Sequence, residues 1–198
     1  MKETMHPLSD DLQIAHRAAI LIPLLKKENE WHLLFEVRAY DLDVQPGDVC
    51  FPGGGLEEKE TPRDAVLREC AEELLTDPAQ ITLLGALPDM IGPRDTVVTP
   101  FAGILHDYRG TFFRGETDRV FSVPLSWFDT HEPRIHRMRS AMPRDDTFPY
   151  ELIHRGRDYP FQGRDITTYF YEHEEAVIWG FTAKVVRVFL SLKESFLP

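Results

Sequence analysis

Glu69, Glu72 and Glu73 sit close together in a stretch that begins at Gly53-Gly54-Gly55 and runs through a short acidic loop to Thr76. The loop ends in start signals for a helix: Thr61 is a candidate N-cap, Pro62 falls at the first helical position, and Asp64 completes a capping-box pattern. At about 100° per residue the three glutamates share one arc of that helix. Val66, Leu67, Cys70, Ala71 and Leu74 form the opposite side, which packs on a core. Carboxylates converging on one point repel each other by roughly 4 kcal/mol per pair at 4 Å and an effective dielectric near 20. That cost points to a divalent cation, and Mg²⁺ or Mn²⁺ takes oxygen ligands. An acidic helix face on its own is commonly just solvated. The fixed spacing to Gly54, Glu60 and Arg68, and the Phe51-Pro52 that precede the glycines, set this one apart.

The elements that must position this helix are readable in outline. Ala18 to Leu25 is a continuous apolar run that reads as a buried strand despite Pro23, and Trp31 to Arg38 reads as its hairpin partner across a turn at Asn29. Asp48 to Pro52 is a short extended piece that delivers the chain to the glycines. Beyond the helix, Ile81 to Leu87, Thr96 to His106, Val120 to Val123 and Ile166 to Tyr171 are strand-like, with Pro100 suggesting an edge or a bulge in the second of these. Leu125 to Thr130 gives one or two helical turns. Arg134 to Met138 and Tyr150 to His154 are expected to form a hairpin across the turn region from Pro143 to Pro149. Phe181 to Lys193 is an amphipathic helix. Strands before and after a central helix, with a closing helix, place the chain in the α+β class as an α/β/α sandwich with a mixed sheet.

The chain of 198 residues is expected to be one domain spanning 1–198, with residues 1–14 as an N-terminal arm. A net charge of −11 excludes an open nucleic-acid surface but leaves room for a small phosphorylated ligand held through metal ions. Two cysteines are too few for a disulfide scaffold and suit a reducing, cytoplasmic setting. No apolar run is long enough to span a membrane, and the first 19 residues lack the apolar centre of a signal peptide.

The stretch from Gly54 through Glu60 to Arg68-Glu69-x-x-Glu72-Glu73 resembles the signature of the Nudix hydrolases. One position departs from it, because the pattern has glycine where this chain has Leu75. Leu33 to Arg38, Gln45 to Gly54, Tyr171 to Glu174 and Ile178 to Ala183 further resemble the coenzyme A pyrophosphatase branch. The resemblance implies a Nudix fold and Mg²⁺- or Mn²⁺-dependent hydrolysis of the diphosphate in coenzyme A or its derivatives. Its products are 3′,5′-adenosine bisphosphate and 4′-phosphopantetheine. The alternatives are a diphosphatase for ADP-ribose, NADH or another nucleoside diphosphate derivative, and a non-catalytic nucleotide-binding regulator. The partner is then a small nucleoside diphosphate derivative, and a homodimer is a fair expectation for the fold.

The same resemblance distributes roles. Glu69, Glu72 and Glu73 become metal ligands, joined by a backbone carbonyl at Gly53, while Gly54 allows close approach of substrate. Glu60 takes a supporting position or a further metal, Arg68 aligns a carboxylate by a charge-assisted pair, and Glu69 leads as general base. Glu116, in the loop before Val120 to Leu125, is the rival base or an additional ligand. Arg38 is either a phosphate contact or a strand-end arginine paired with a nearby glutamate. Arg94 is expected to be exposed. His131, His136, His154 and His173 lack metal-ligand spacing. The three glycines are no P-loop, since no Gly-Lys-Ser/Thr follows. Trp179 and the aromatics from Phe161 to Tyr171 are expected in the core.

Overall fold

A computed structural model describes residues 16–140, 146–161 and 164–197. In chain order it forms β1 (Arg17–Lys27), β2 (Glu30–Arg38), β3 (Val49–Cys50), β4 (Gly53–Gly55), α1 (Pro62–Leu74), β5 (Ile81–Ala86), β6 (Met90–Ile91), β7 (Val97–Leu105) and β8 (Thr117–Pro124). It continues through α2 (Leu125–Thr130), β9 (Arg134–Ser140), β10 (Arg164–Glu172), β11 (Val177–Trp179) and α3 (Gly180–Leu192). The main sheet runs β3-β2-β1-β7-β5, with β4 on β1, β6 on β7 and β8 on β2. The β1–β7 pair is parallel and the other pairs are antiparallel, so the sheet is mixed. A second sheet runs β11-β10-β9.

Strand alternation divides the core into two layers. Ala19, Leu21, Leu25 and Leu34 face α1 and meet Ala65, Val66, Cys70 and Leu74. Ile22, Leu24, Leu33, Phe35 and Val37 face the other way and meet Ala183, Val185, Val186 and Phe189 of α3. This is the expected α+β sandwich, with α1 on one face of the sheet and α3 on the other. Thr182 ties α3 to the strand next to the glycines by donating its hydroxyl to the Val49 carbonyl at 2.8 Å.

Pro23 and Pro100 both sit inside the sheet, which corrects the edge expected at Pro100; of the bulge given as the alternative, a register shift is found close by, between Leu83 and Gly85 of β5 where it pairs with β7. β1 changes neighbours along its length, pairing with β4 at Ala18 to Ile20 and with β2 from Leu24 onward. Pro23 lies in the gap between them, where no partner asks for its missing N–H. Pro100 lies between the β5 and β6 pairings of β7, and its carbonyl accepts from the Leu87 amide at 2.8 Å. The expected hairpin of Arg134 to Met138 with Tyr150 to His154 does not form. β9 pairs instead with β10, and Tyr150–Leu152 is a 3₁₀ turn. Tyr150 to His154 lacks the alternation a strand needs, whereas Ile166 to Tyr171 is rich in β-branched and aromatic residues. Trp179 is 43% exposed, stacked on Phe170 rather than buried. The expected arm at residues 1–14 and part of the Pro143 to Pro149 turn lie outside the described residues.

Candidate active site

Helix α1 starts as the sequence implies. Thr61 is its N-cap, accepting from the Asp64 amide, and Pro62 opens the first turn. The capping box is not closed, however. Asp64 takes the Thr61 hydroxyl at 2.6 Å rather than reaching back to the Thr61 amide, because an aspartate is shorter than the glutamate such a box normally uses. The helix ends at Leu75, which occupies the left-handed region at φ 49, ψ 48 and donates its amide to Ala71. Two of the carbonyls left over at that end are satisfied from the loop before β8: the Phe113 amide donates to Glu73 at 2.7 Å, and the Thr111 hydroxyl to Leu74 at 2.7 Å.

The glycines are fixed by what lies against them. Gly53 has φ +140, and a side chain there would meet the β1 backbone, with Ile20 Cα at 2.6 Å. At Gly54 a Cβ would lie 2.6 and 2.7 Å from the two carboxylate oxygens of Glu69. The glycine therefore makes the space in which that carboxylate rests. Gly53 also donates its amide to Glu73 Oε2 at 2.7 Å, so the β4 strand and the helix are locked together at two successive glycines.

Arg68 is the organising cation. Its Nε and Nη2 engage both oxygens of Glu60 at 3.0 and 2.9 Å, and its Nη1 donates to Glu69 at 2.8 Å and reaches Glu72 at 3.5 Å. Nη2 also donates to the Gly55 carbonyl at 3.1 Å. Arg68 is thus paired with the carboxylates that its expected alignment role calls for. Glu60, given above as a metal ligand or a support, is occupied on both oxygens by Arg68 and takes the Glu57 amide as well. The Arg68 guanidinium holds its carboxyl below the usual range.

The three helix glutamates do not converge as a single acidic arc. Successive residues lie about 100° apart, so Glu72 and Glu73 diverge. The Glu72 side chain is 63% exposed, whereas Glu73 is buried at the edge of the core. Glu69 lies between them, half-buried, with its carboxyl pushed up by burial against the opposing pull of Arg68. Burial and the neighbouring Glu36 push Glu73 much further, to about 9. Among the described residues, no three His, Cys, Asp or Glu side chains already form a metal cage. Glu69 and Glu73 nonetheless both lie against the glycines of β4, Glu69 at Gly54 and Glu73 on the Gly53 amide, with Arg68 bound to Glu69.

Glu36 is the residue the sequence reading passed over. It is 1% exposed, and among the described residues its Oε1 has no hydrogen-bond partner. It shares strand parity with Leu34 and therefore lies on the face that α1 covers. Desolvation raises its carboxyl to about 8, against a downward pull from Arg38. A signal was present, since a lone acid between Phe35 and Val37, in a strand apolar on both faces, must enter the core.

Alongside the glycines runs a cleft of about 800 Å³, lined by Gly53, Gly54, Gly55, Glu73 and Cys50, with Arg17, Arg38 and Arg94 on its walls. Arg38 donates Nε to the Val44 carbonyl at 3.2 Å and, among the described residues, has no glutamate partner, which leaves the phosphate-contact alternative standing. Arg94 is exposed as expected, yet it faces this cleft from a left-handed turn at φ 55. Arg17 was not foreseen, because only the long-range pairing of β1 with β4 and β7 brings it here. Glu116 is exposed in the loop before β8, near enough for its charge to bear on Glu36, Glu69 and Glu73.

A mixed sheet between helices, with a glycine turn feeding a glutamate-bearing helix, is the arrangement that the resemblance carried by residues 54–73 implies. Residues 15–155 match the NUDIX domain family, and the chain belongs to it. It is 32% identical over 154 residues to the mouse peroxisomal coenzyme A diphosphatase NUDT7, an alignment that covers 75% of this chain and 65% of that protein. It thus spans about two thirds of that relative's length. It is 30% identical to the Nudix hydrolase NudL of Enterobacter sp. strain 638, with 91% of this chain and 84% of that one covered. A MutT/nudix family protein from Enterococcus faecalis shares the fold at a TM-score of 0.50 and 12% identity, over 91% of this chain and 62% of that one. Among the described residues no helix is long and apolar enough to cross a membrane.

Proposed function

We propose that the protein is a Mg²⁺- or Mn²⁺-dependent diphosphatase that cleaves coenzyme A or its derivatives into 3′,5′-adenosine bisphosphate and 4′-phosphopantetheine, working in a reducing, cytoplasmic compartment. The observation that carries this reading is the cleft that joins a carboxylate-bearing helix to three arginines. In a chain with 33 acidic and 22 basic residues, none of Arg17, Arg38 and Arg94 has an ion-pair partner among the described residues. Guanidinium groups without ion-pair partners beside a glycine turn suit a ligand with several phosphates, since a planar fork matches phosphate oxygens. The likeness to the mouse coenzyme A diphosphatase supports the choice of substrate.

Glu69, Glu72 and Glu73 would hold the cation, with the Gly53 carbonyl beside them. Bound there, it would neutralise diphosphate charge and acidify an attacking water. Arg68, itself clamped by Glu60, fixes the Glu69 carboxylate against Gly54. From that position Glu69 takes the proton of the attacking water, and Glu116 is the alternative base. Arg38, Arg17 and Arg94 grip the phosphates.

The test is a product-resolved screen of diphosphate substrates with Mg²⁺ and Mn²⁺. Coenzyme A should be cleaved faster than ADP-ribose or NADH, and Glu69→Gln should lower kcat by about 10²- to 10⁴-fold. Preferential cleavage of ADP-ribose would refute the substrate. Metal-independent binding without turnover would refute the enzyme. If Glu116→Gln proves the more damaging variant, the base is Glu116.

A further inference from the structure

Glu36 poses a physical problem that the site described so far leaves open. A carboxylate in the interior needs a partner for each oxygen, and leaving one without costs about 1–3 kcal/mol or more. Glu36 Oε1 is buried and has none among the described residues. Its neighbours in the strand are apolar, with Phe35 and Val37 on either side and Leu34 on its own face. A leucine or threonine would satisfy the same packing without that penalty.

Its location narrows what the free oxygen can serve. On β2 it stands opposite Cys50 of β3, which lines the cleft together with Glu73 and Gly53. Its charge bears on Glu73 and Cys70 of α1 and on Cys50. Among the described residues Arg38, at the end of the same strand, is the one cation whose charge acts on it, but it makes no hydrogen bond to it. The free oxygen thus lies beneath the face that α1 covers, where the charge of Glu36 acts on the buried Glu73. Two buried carboxylates brought together are relieved by a cation between them.

We propose that Glu36 is a metal ligand, joining Glu73 to hold a divalent cation on the inner side of the α1 carboxylates. This rests on the reading of the site as a divalent-metal centre. It extends the ligand set beyond the helix to a strand of the main sheet, so that the cation fastens α1 to β2. The orphaned oxygen then has a role in the loaded protein that the unloaded fold does not give it.

Mn²⁺ binding separates this proposal from the reading beneath it. The full chain is titrated with Mn²⁺ alone, free ion is followed by its electron paramagnetic resonance signal, and the thermal midpoint is recorded with chelator and with Mn²⁺. Glu36→Gln keeps the shape and removes the charge, and Glu36→Met replaces the acid by an apolar side chain of similar length. Both variants should keep or raise the midpoint in chelator. Each should lose a Mn²⁺ equivalent or bind it at least tenfold more weakly, with the Mn²⁺-induced rise in midpoint reduced accordingly. Variants that fold and match the wild type within tenfold in affinity, with equal stoichiometry, overturn the proposal alone. A wild type that takes up no Mn²⁺ overturns the metal reading and this proposal with it.

Discussion

At the scale of single residues, the two glycines that begin β4 look interchangeable in the sequence but are required for different reasons. Gly53 is excluded from having a side chain by backbone, and backbone cannot move aside; its φ of +140 adds strain for any other residue. Gly54 is excluded by the Glu69 carboxylate, the far end of a flexible side chain. Gly53→Ala should therefore destabilise the fold by roughly 2–3 kcal/mol or more, a fall in thermal midpoint of about 5–10 °C for a chain of this size. Gly54→Ala should leave the midpoint within about 2 °C, since the carboxylate can swing away. It should cut kcat with little change in the folded fraction, because Glu69 is then displaced from Arg68. Equal losses of stability in the two variants, measured by calorimetry beside turnover, would contradict this division. The spacing of Gly54, Glu60, Arg68 and Glu69 was legible because every contact among them lies within 16 residues of chain. The divergence of Glu72 from Glu73 was less legible, because the buried side of the helix depends on which strands it meets.

At the scale of elements, the end of α1 shows how this chain manages without the glycine of the family signature. A left-handed residue costs roughly 1–2 kcal/mol when it carries a Cβ, and Leu75 at φ 49 bears that cost with a side chain 56% exposed. Leu75→Gly should therefore raise stability by about 1 kcal/mol, or about 2–4 °C in midpoint. Chemical denaturation checks it, and an unchanged or lowered midpoint would show that Leu75 packing outweighs the strain. The neighbouring carbonyls are held by Thr111 and Phe113, so Thr111→Val should cost about 1 kcal/mol through loss of its bond to Leu74. The same loop continues to Glu116, and loosening its hold on the helix end should also lower turnover if Glu116 serves the reaction. Strand and helix positions could be read from the sequence because alternation and caps are local. The partner of β9 could not, since 23 residues separate its end from β10 and the choice is made by cross-strand packing. Pro100 misled for the same reason, while Pro23 sits in a strand as read, because a central strand tolerates proline where its neighbours change over, and that is a property of the assembled sheet.

At the scale of the whole molecule, two buried acids couple metal, protons and stability. Glu36 and Glu73 have carboxyl groups raised to about 8 and about 9 by desolvation, with their mutual repulsion adding to the rise at Glu73. In the unfolded chain both return to the ordinary glutamate value of about 4.3. Between these limits the folded state holds more protons than the unfolded one, so stability falls as pH rises. The contribution is fully present below about pH 4. It is lost progressively across the neutral range and is gone above about pH 9. In chelator, the thermal midpoint of the wild type should therefore decline from pH 6 to pH 9, and Glu36→Gln should flatten the decline by removing one of the two titrating groups. Mg²⁺ should have the opposite trend. A cation must displace the protons to bind, so its affinity, and with it the rise in midpoint it produces, should grow as pH increases. Thermal scans at four pH values with and without Mg²⁺ read both slopes at once. A midpoint in chelator that is level or rises across this range would mean that the buried pair is ionised without metal, and that charge from Arg38 and Arg68 is enough to hold the site together.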